Sequence, residues 1–214
     1  MPARPSRTVH GGGRPRSERA RRAVLDAARN LFQEGGYSAA TVEGIAAQAG
    51  VAKTTIYRSW PNRSALLVEL MLELAAEAAP PPTGTDPLHA IRTEVRMVAE
   101  AAGELSGRLF LSLMGEAQKD PEVRDALLRG LYTPRRQATA EVVRRAQEAG
   151  LIRREVPPLL AVDLFFGAMF YRRFVRGEPA TSEFLKQAFD LTLSGLAPAA
   201  TKTSRSPRKG KTRS

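Results

Sequence analysis

The sequence predicts an all-α protein, and three observations carry that prediction. Apolar residues recur at helical spacing in about nine segments. No segment sustains the period-two alternation of a half-buried strand. The segments are punctuated by Gly, Pro, Ser, Thr, Asn and Asp, the residues that start and stop helices. The chain has 214 residues, 43% apolar and 26% charged, enough to bury a core as one or two domains. Its longest uninterrupted apolar run, Leu164 to Tyr171, is eight residues, whereas a membrane-spanning helix needs about 20. The basic N-terminus is followed by Gly, Pro and Arg rather than an apolar stretch, so no secretory signal is read and a cytoplasmic location is expected.

Residues 1–16 are rich in Pro, Gly and Arg without apolar periodicity and are expected to form a disordered basic arm. Val24, Leu25, Ala28, Leu31 and Phe32 then make one stripe of a first helix, capped by Ser17 and stopped by Gly35-Gly36. Val42, Ile45, Ala46 and Ala49 mark a second, with Thr41 as cap and Gly50 as stop. A third runs from Lys53 to Trp60, where Pro61 ends it. Asn62 caps a fourth, whose Leu66, Leu67, Leu70, Met71 and Leu74 share a face until Pro80-Pro81-Pro82. That triple proline reads as the domain boundary. Beyond it the pattern predicts helices near 86–103, 107–119, 121–149 with a kink at Pro134, 158–175 and 182–196, and then a disordered basic tail over 198–214.

The net charge of +11 is unevenly placed: residues 1–60 contribute +6, 61–198 contribute −1 and 199–214 contribute +6. A nearly neutral middle between basic ends implies that the ends meet a polyanion. Chemistry is limited by composition. There is no Cys, which removes disulfides, thiolate sites and Cys nucleophiles, and two His residues, His10 and His89, cannot build a multi-His metal centre. No metal, no cofactor and no catalytic residue is expected. Gly210-Lys211-Thr212 imitates the end of a phosphate loop, but Arg205 stands where that motif needs its first Gly. Enzymatic activity is the reading least supported.

Two short helices joined by Gly50-Val51-Ala52 have the spacing of a helix-turn-helix. Small Ala46 suits the close approach of the second helix, Gly50 the positive φ needed to leave the first, and Ile56 the shared core. The second helix then shows Lys53, Thr54, Thr55, Tyr57 and Arg58 outward, donors with no acid among them, a face suited to a major groove. Each has a structural reading too: Trp60 as core, Tyr57 divided between packing and a phosphate, Thr41 as a helix cap, and Arg21, Arg22 and Arg29 as a solvated face.

The run from Thr41 to Leu66, TVEGIAAQAGVAKTTIYRSWPNRSAL, closely resembles the N-terminal domain of TetR-family transcriptional regulators. With Ala28 to Phe32 and Gly36-Tyr37 included, the likeness spans about residues 18–70. The resemblance implies that Thr41, Thr55, Tyr57 and Arg63 grip phosphates while Lys53, Thr54 and Arg58 lie near bases. Arg63 stands where the family usually has Lys, which keeps a phosphate contact and adds a fork. Gly44 replaces a larger residue, at about 1 kcal/mol of helix propensity. In the arm, Gly13-Arg14-Pro15-Arg16 resembles the core of an AT-hook, in which Arg14 and Arg16 would lie extended in an A·T minor groove. Ser206-Pro207-Arg208-Lys209 resembles basic minor-groove repeats but occurs once.

The last two helices are too apolar for surface elements. Leu159 to Phe170 is apolar on nearly every side, and Phe184 to Leu196 repeats the pattern. Such helices bury two faces, so a homodimer through a four-helix interface is expected, with Leu164, Phe165, Ala168, Phe184, Ala188 and Leu191 at the contact. The TetR resemblance extends weakly into this half and implies an effector cavity among the middle helices. Phe110, Met114, Tyr132, Phe166, Met169 and Phe170 are its candidate lining, although for any single one of them ordinary core is the favoured reading. The sequence therefore predicts residues 17–61 as the DNA-binding domain, 62–80 as a connecting helix and 86–197 as a ligand-binding and dimerisation domain. Its expected partners are double-stranded palindromic DNA, a small-molecule effector and a second copy of the chain. The leading function is a repressor released by a hydrophobic inducer; the alternative is a ligand-independent architectural DNA binder.

Overall fold

The computed structural model describes residues 13–198. The expected disorder of the two ends beyond these limits, His10, Ser206 to Lys209 and Gly210 to Thr212 lie outside the described residues. Within them the chain is helical, without strands: α1 (Gly13–Ala39), α2 (Val42–Ala49), α3 (Lys53–Ser59), α4 (Arg63–Ala78), α5 (Pro87–Ala101), α6 (Leu105–Ala117), α7 (Pro121–Leu127), α8 (Thr133–Glu148), α9 (Pro158–Phe170) and α10 (Ser182–Leu196). Counting α7 and α8 as one bent rod gives the expected nine helices among the described residues.

The caps behave as their chemistry dictates. Thr41 Oγ1 accepts from Gly44 N at 3.1 Å, Asn62 Oδ1 from Ala65 N at 2.8 Å, and Asp86 Oδ1 from Leu88 N and His89 N. Each supplies a partner to a first-turn N–H that the helix leaves free. Gly50 closes α2 at φ 65°, and its conformation turns the chain into α3.

Two expectations need correction. The first helix begins at Gly13, not at Ser17, so the backbone of Arg14-Pro15-Arg16 is helical rather than extended as a hook requires. Proline is tolerated there because a first-turn N–H has no helical partner in any case. The glycine stop holds: Gly36, at φ 69° and ψ −160°, leaves the helical region and ends the first straight helix, and a short helical turn follows it to Ala39. The bend expected at Pro134 lies just before it, as a π-helical segment Leu128–Tyr132. Pro134 lacks the N–H that would bond back to residue 130, and the wider turns absorb that loss. A second π segment, Tyr171–Val175, continues α9.

The apolar interior does not divide at the prolines. One core joins α1–α4 to α6 and α7 through Leu25, Ile45, Ile56, Leu66, Leu109 and Leu113. The other joins α5, α8, α9 and α10 through Ile91, Val143, Ala161, Phe165 and Phe189. Phe170 packs against both. Along the outer side of the first core, α1 is tied to α4 by a ladder of charges. Arg21 pairs with Glu69 and Glu73, Arg22 with Glu73 at 3.3 Å, and Arg29 with Glu77 at 3.2 Å. These arginines are therefore an inter-helical seam, not merely a solvated face.

Candidate nucleic-acid interface and ligand cavity

The turn between α2 and α3 presents α3 as expected. Ile56 is buried and anchors the helix, while Lys53, Thr54, Tyr57 and Arg58 are exposed and Thr55 is half-buried. Tyr57 is 50% exposed, which decides its divided reading in favour of an outward ring. Trp60 is the reverse: at 3% exposure it is core, and its indole N–H donates to Glu69 Oε2 at 2.7 Å. Because Arg21 pairs with the other oxygen of Glu69, one carboxylate on α4 holds both α1 and the end of α3.

Arg63 lies at the start of α4 with its guanidinium 4.2 Å above the Tyr37 ring and Nη1 donating to the Tyr37 carbonyl at 3.4 Å. Stacking of this kind uses the planar fork and is not open to Lys. Lys53 Nζ sits 3.0 Å from Glu43 Oε1. Their hydrogen bond holds the Glu43 carboxyl below, and the Lys53 ammonium above, its ordinary pKa. The presumed base reader is thus already paired in the free protein. Gly44 also has a steric reason: a Cβ there would come within 3.2 Å of Thr41 Oγ1 and 3.3 Å of Leu31 Cδ1, crowding the cap against α1.

A cavity of about 320 Å³ lies where the two cores meet. Of the expected lining, Phe110, Tyr132, Phe166 and Phe170 are on its wall. Met169 is not: it is 1% exposed and packed within the second core. Met114 lines a smaller adjoining hollow of about 280 Å³ instead, with Tyr132 and Arg136 as the shared partition.

The sequence reading missed the polar part of this wall. Glu94 is 2% exposed; its Oε2 accepts from Thr139 Oγ1 at 2.8 Å and its Oε1 from Arg135 Nη2 at 3.4 Å. Burial pushes its pKa above the ordinary value, against the hydrogen bond from Thr139 and the charge of Arg135. Arg136 forks onto Asp163 at 3.0 and 2.6 Å. Burial also raises the Tyr132 hydroxyl to about 12. A signal was available for Glu94. It occupies the apolar stripe of α5 with Ala90, Ile91, Val95 and Ala99, where an acid has no reason to be unless something faces it.

On the outer face of α9 and α10, Leu164 is 46% and Leu191 74% exposed, and Ala168 is exposed beside them. Phe184 and Ala188 are half-buried. Phe165 corrects the expected contact set: at 3% exposure it stacks on Phe189, ring centroids 4.8 Å apart, within its own subunit.

Comparison with known proteins gives a coherent result. The model of bacterial regulatory proteins of the tetR family matches residues 24–70, and that of the tetracyclin repressor-like C-terminal domain matches residues 80–192. The HTH-type transcriptional regulator YdeS of Bacillus subtilis (strain 168) is 29% identical over 174 residues, 81% of this chain and 88% of its own length. The crystal structure of the TetR-family transcription regulator SCO0332 matches with a TM-score of 0.70 at 29% identity, over 84% of this chain and 99% of that one. Thermus thermophilus FadR, a TetR-family transcriptional repressor in complex with lauroyl-CoA, shares the fold at TM-score 0.66 and 23% identity, over 89% and 100% of the two chains.

Proposed function

Because the chain belongs to the TetR family of DNA-binding bacterial regulatory proteins, we propose that it is a homodimeric repressor that leaves a palindromic operator when a small hydrophobic inducer fills the cavity between its two cores. The observation that carries this reading is the double use of α4 and α6. Met71 and Ala75 on α4 and Phe110 on α6 belong to the core of the helix-turn-helix and line the cavity as well. A molecule that moves these side chains moves the frame on which α3 is mounted.

In this reading Thr41, Thr55, Tyr57 and Arg63 hold phosphates and Lys53, Thr54 and Arg58 read base edges. Two copies of α3 must then meet major grooves about 34–36 Å apart. The apolar face bearing Leu164, Ala168 and Leu191 would bring the copies together, and the helical Gly13–Arg16 would enter DNA contact as a continuation of α1 rather than as a hook. The lauroyl chain of the ligand carried by FadR supports an apolar body for the effector of this cavity. A cavity of this size and lining favours effector control over purely architectural binding.

The test is selection of bound duplexes from a random pool, followed by gel-shift titration of the selected sequence and measurement of oligomeric state. Enrichment of an inverted repeat by a dimer is expected, and Leu164→Arg with Leu191→Arg should give monomers that no longer retard it. A monomeric native protein, or flat affinity across duplexes, would overturn the reading.

A further inference from the structure

The wall of the cavity carries four formally charged groups, and they cancel in two pairs. Glu94 faces Arg135 at 3.4 Å, and Asp163 receives the fork of Arg136. Both guanidinium groups are committed, since Arg135 Nη1 also donates to the Ala79 carbonyl at 2.6 Å. Tyr132 adds no charge in the physiological range. A buried ligand with a net charge would therefore have no counter-charge of its own, and an unpaired buried charge is strongly disfavoured. An anion would meet the two carboxylates, and a cation the two arginines.

Glu94 is not saturated. It accepts two hydrogen bonds within the protein, whereas a carboxylate offers about four lone-pair sites. Five aromatic rings share the rest of the wall with small and aliphatic side chains: the ring of Phe110 lies 5.0 Å from that of Phe174 and 5.8 Å from that of Tyr132, and Phe170 lies 5.1 Å from Phe174. Packed against one another, these rings form a ready surface for a flat apolar body.

On the reading that this cavity holds the effector, we propose that the effector is an electrically neutral molecule with an aromatic body and one hydrogen-bond donor, a hydroxyl or amide, directed at Glu94. The body lies on the Phe110, Phe170 and Phe174 rings. The donor occupies a free lone pair of the carboxylate, and the paired arginines exclude charged analogues.

Three probes with one body and different heads test this on the full chain near neutral pH: 4-phenylbutanol, 4-phenylbutylamine and 4-phenylbutyrate, measured by calorimetry and by release of the selected operator. The alcohol should bind at least about tenfold more tightly than either charged probe. Glu94→Gln leaves the Arg135 guanidinium unpaired beside a buried wall and should shift the ratio toward the butyrate by about tenfold or more; Asp163→Asn frees Arg136 from an exposed pair and should shift it the same way by about two- to fivefold. Asp163 is exposed, so its variant serves if Glu94→Gln fails to fold. Equal or tighter binding of the amine or the acid to the native protein overturns the neutral-ligand inference and leaves the cavity reading intact. An unchanged ratio in a folded variant overturns the charge-pairing argument. Failure of all three probes to bind overturns the cavity reading, and this inference with it.

Discussion

The core that joins α1–α4 to α6 and α7 mixes residues from before and after the triple proline, whereas the core of α5, α8, α9 and α10 comes wholly from after it. The first carries the exposed, cationic α3 on one side; the second carries the exposed apolar face of α9 and α10. Between them is a cavity walled by both. The unit packed beneath α3 is therefore larger than the helix-turn-helix. It includes α6 and α7, which lie some forty residues or more further along the chain. In the proposed function, a ligand in the seam would touch both units at once and would stabilise whichever relative placement fits it.

The largest expected effect separates the two cores. Leu109→Ala on α6 and Ile91→Ala on α5 each empty a fully buried site and should each cost about 2–5 kcal/mol of stability. Hydrogen exchange distinguishes them: protection of α1–α3 should fall with Leu109→Ala and not with Ile91→Ala. Equal loss in both would mean that the cores open as one unit.

Next comes the reading face. Arg58→Ala should remove about 1–3 kcal/mol of discrimination at one base position, whereas Tyr57→Phe and Arg63→Ala should weaken binding across all sequences. Gel-shift titration against single-base variants of the selected site checks this. A uniform loss for Arg58→Ala would move it to the phosphate set.

A smaller effect comes from pH at the seam. Burial lifts the Glu94 pKa above its ordinary 4.5. In the window above that value the folded chain holds the proton more firmly than the unfolded chain, so this group adds stability as pH falls through the window and loses it as pH rises. The thermal midpoint of the native protein relative to Glu94→Gln should therefore rise between about pH 7 and about pH 5. A difference flat with pH would show that Arg135 and Thr139 offset burial completely. The smallest effect belongs to Glu43→Gln. Freeing Lys53 from its exposed partner should strengthen operator binding by a few-fold at most, measured by the same titration.

Much of this was legible in the sequence because it depends on near neighbours. The caps Thr41 and Asn62, the left-handed Gly50 and the outward set on α3 each follow from residues within one or two turns. Trp60 as core followed from the same local pattern. Phe165 and Met169 were misplaced because α9 is apolar on almost every side, so periodicity could not say which side meets its own subunit and which does not. Glu94 was passed over although its position on an apolar stripe was visible, because its partners Arg135 and Thr139 lie on another helix.

The amino-acid order alone determined the helices, most of their ends, the helix-turn-helix and its cationic face, since 3.6-residue periodicity, capping and steric demands at glycine act over a few residues. The tertiary structure alone decided that α6 and α7 share a core with the N-terminal helices, that Arg21, Arg22 and Arg29 lock onto α4, and that the charges on the cavity wall cancel in pairs. Those are contacts between segments far apart in the chain, and the energy that selects among them is close packing and charge pairing in three dimensions, which has no short-range signature.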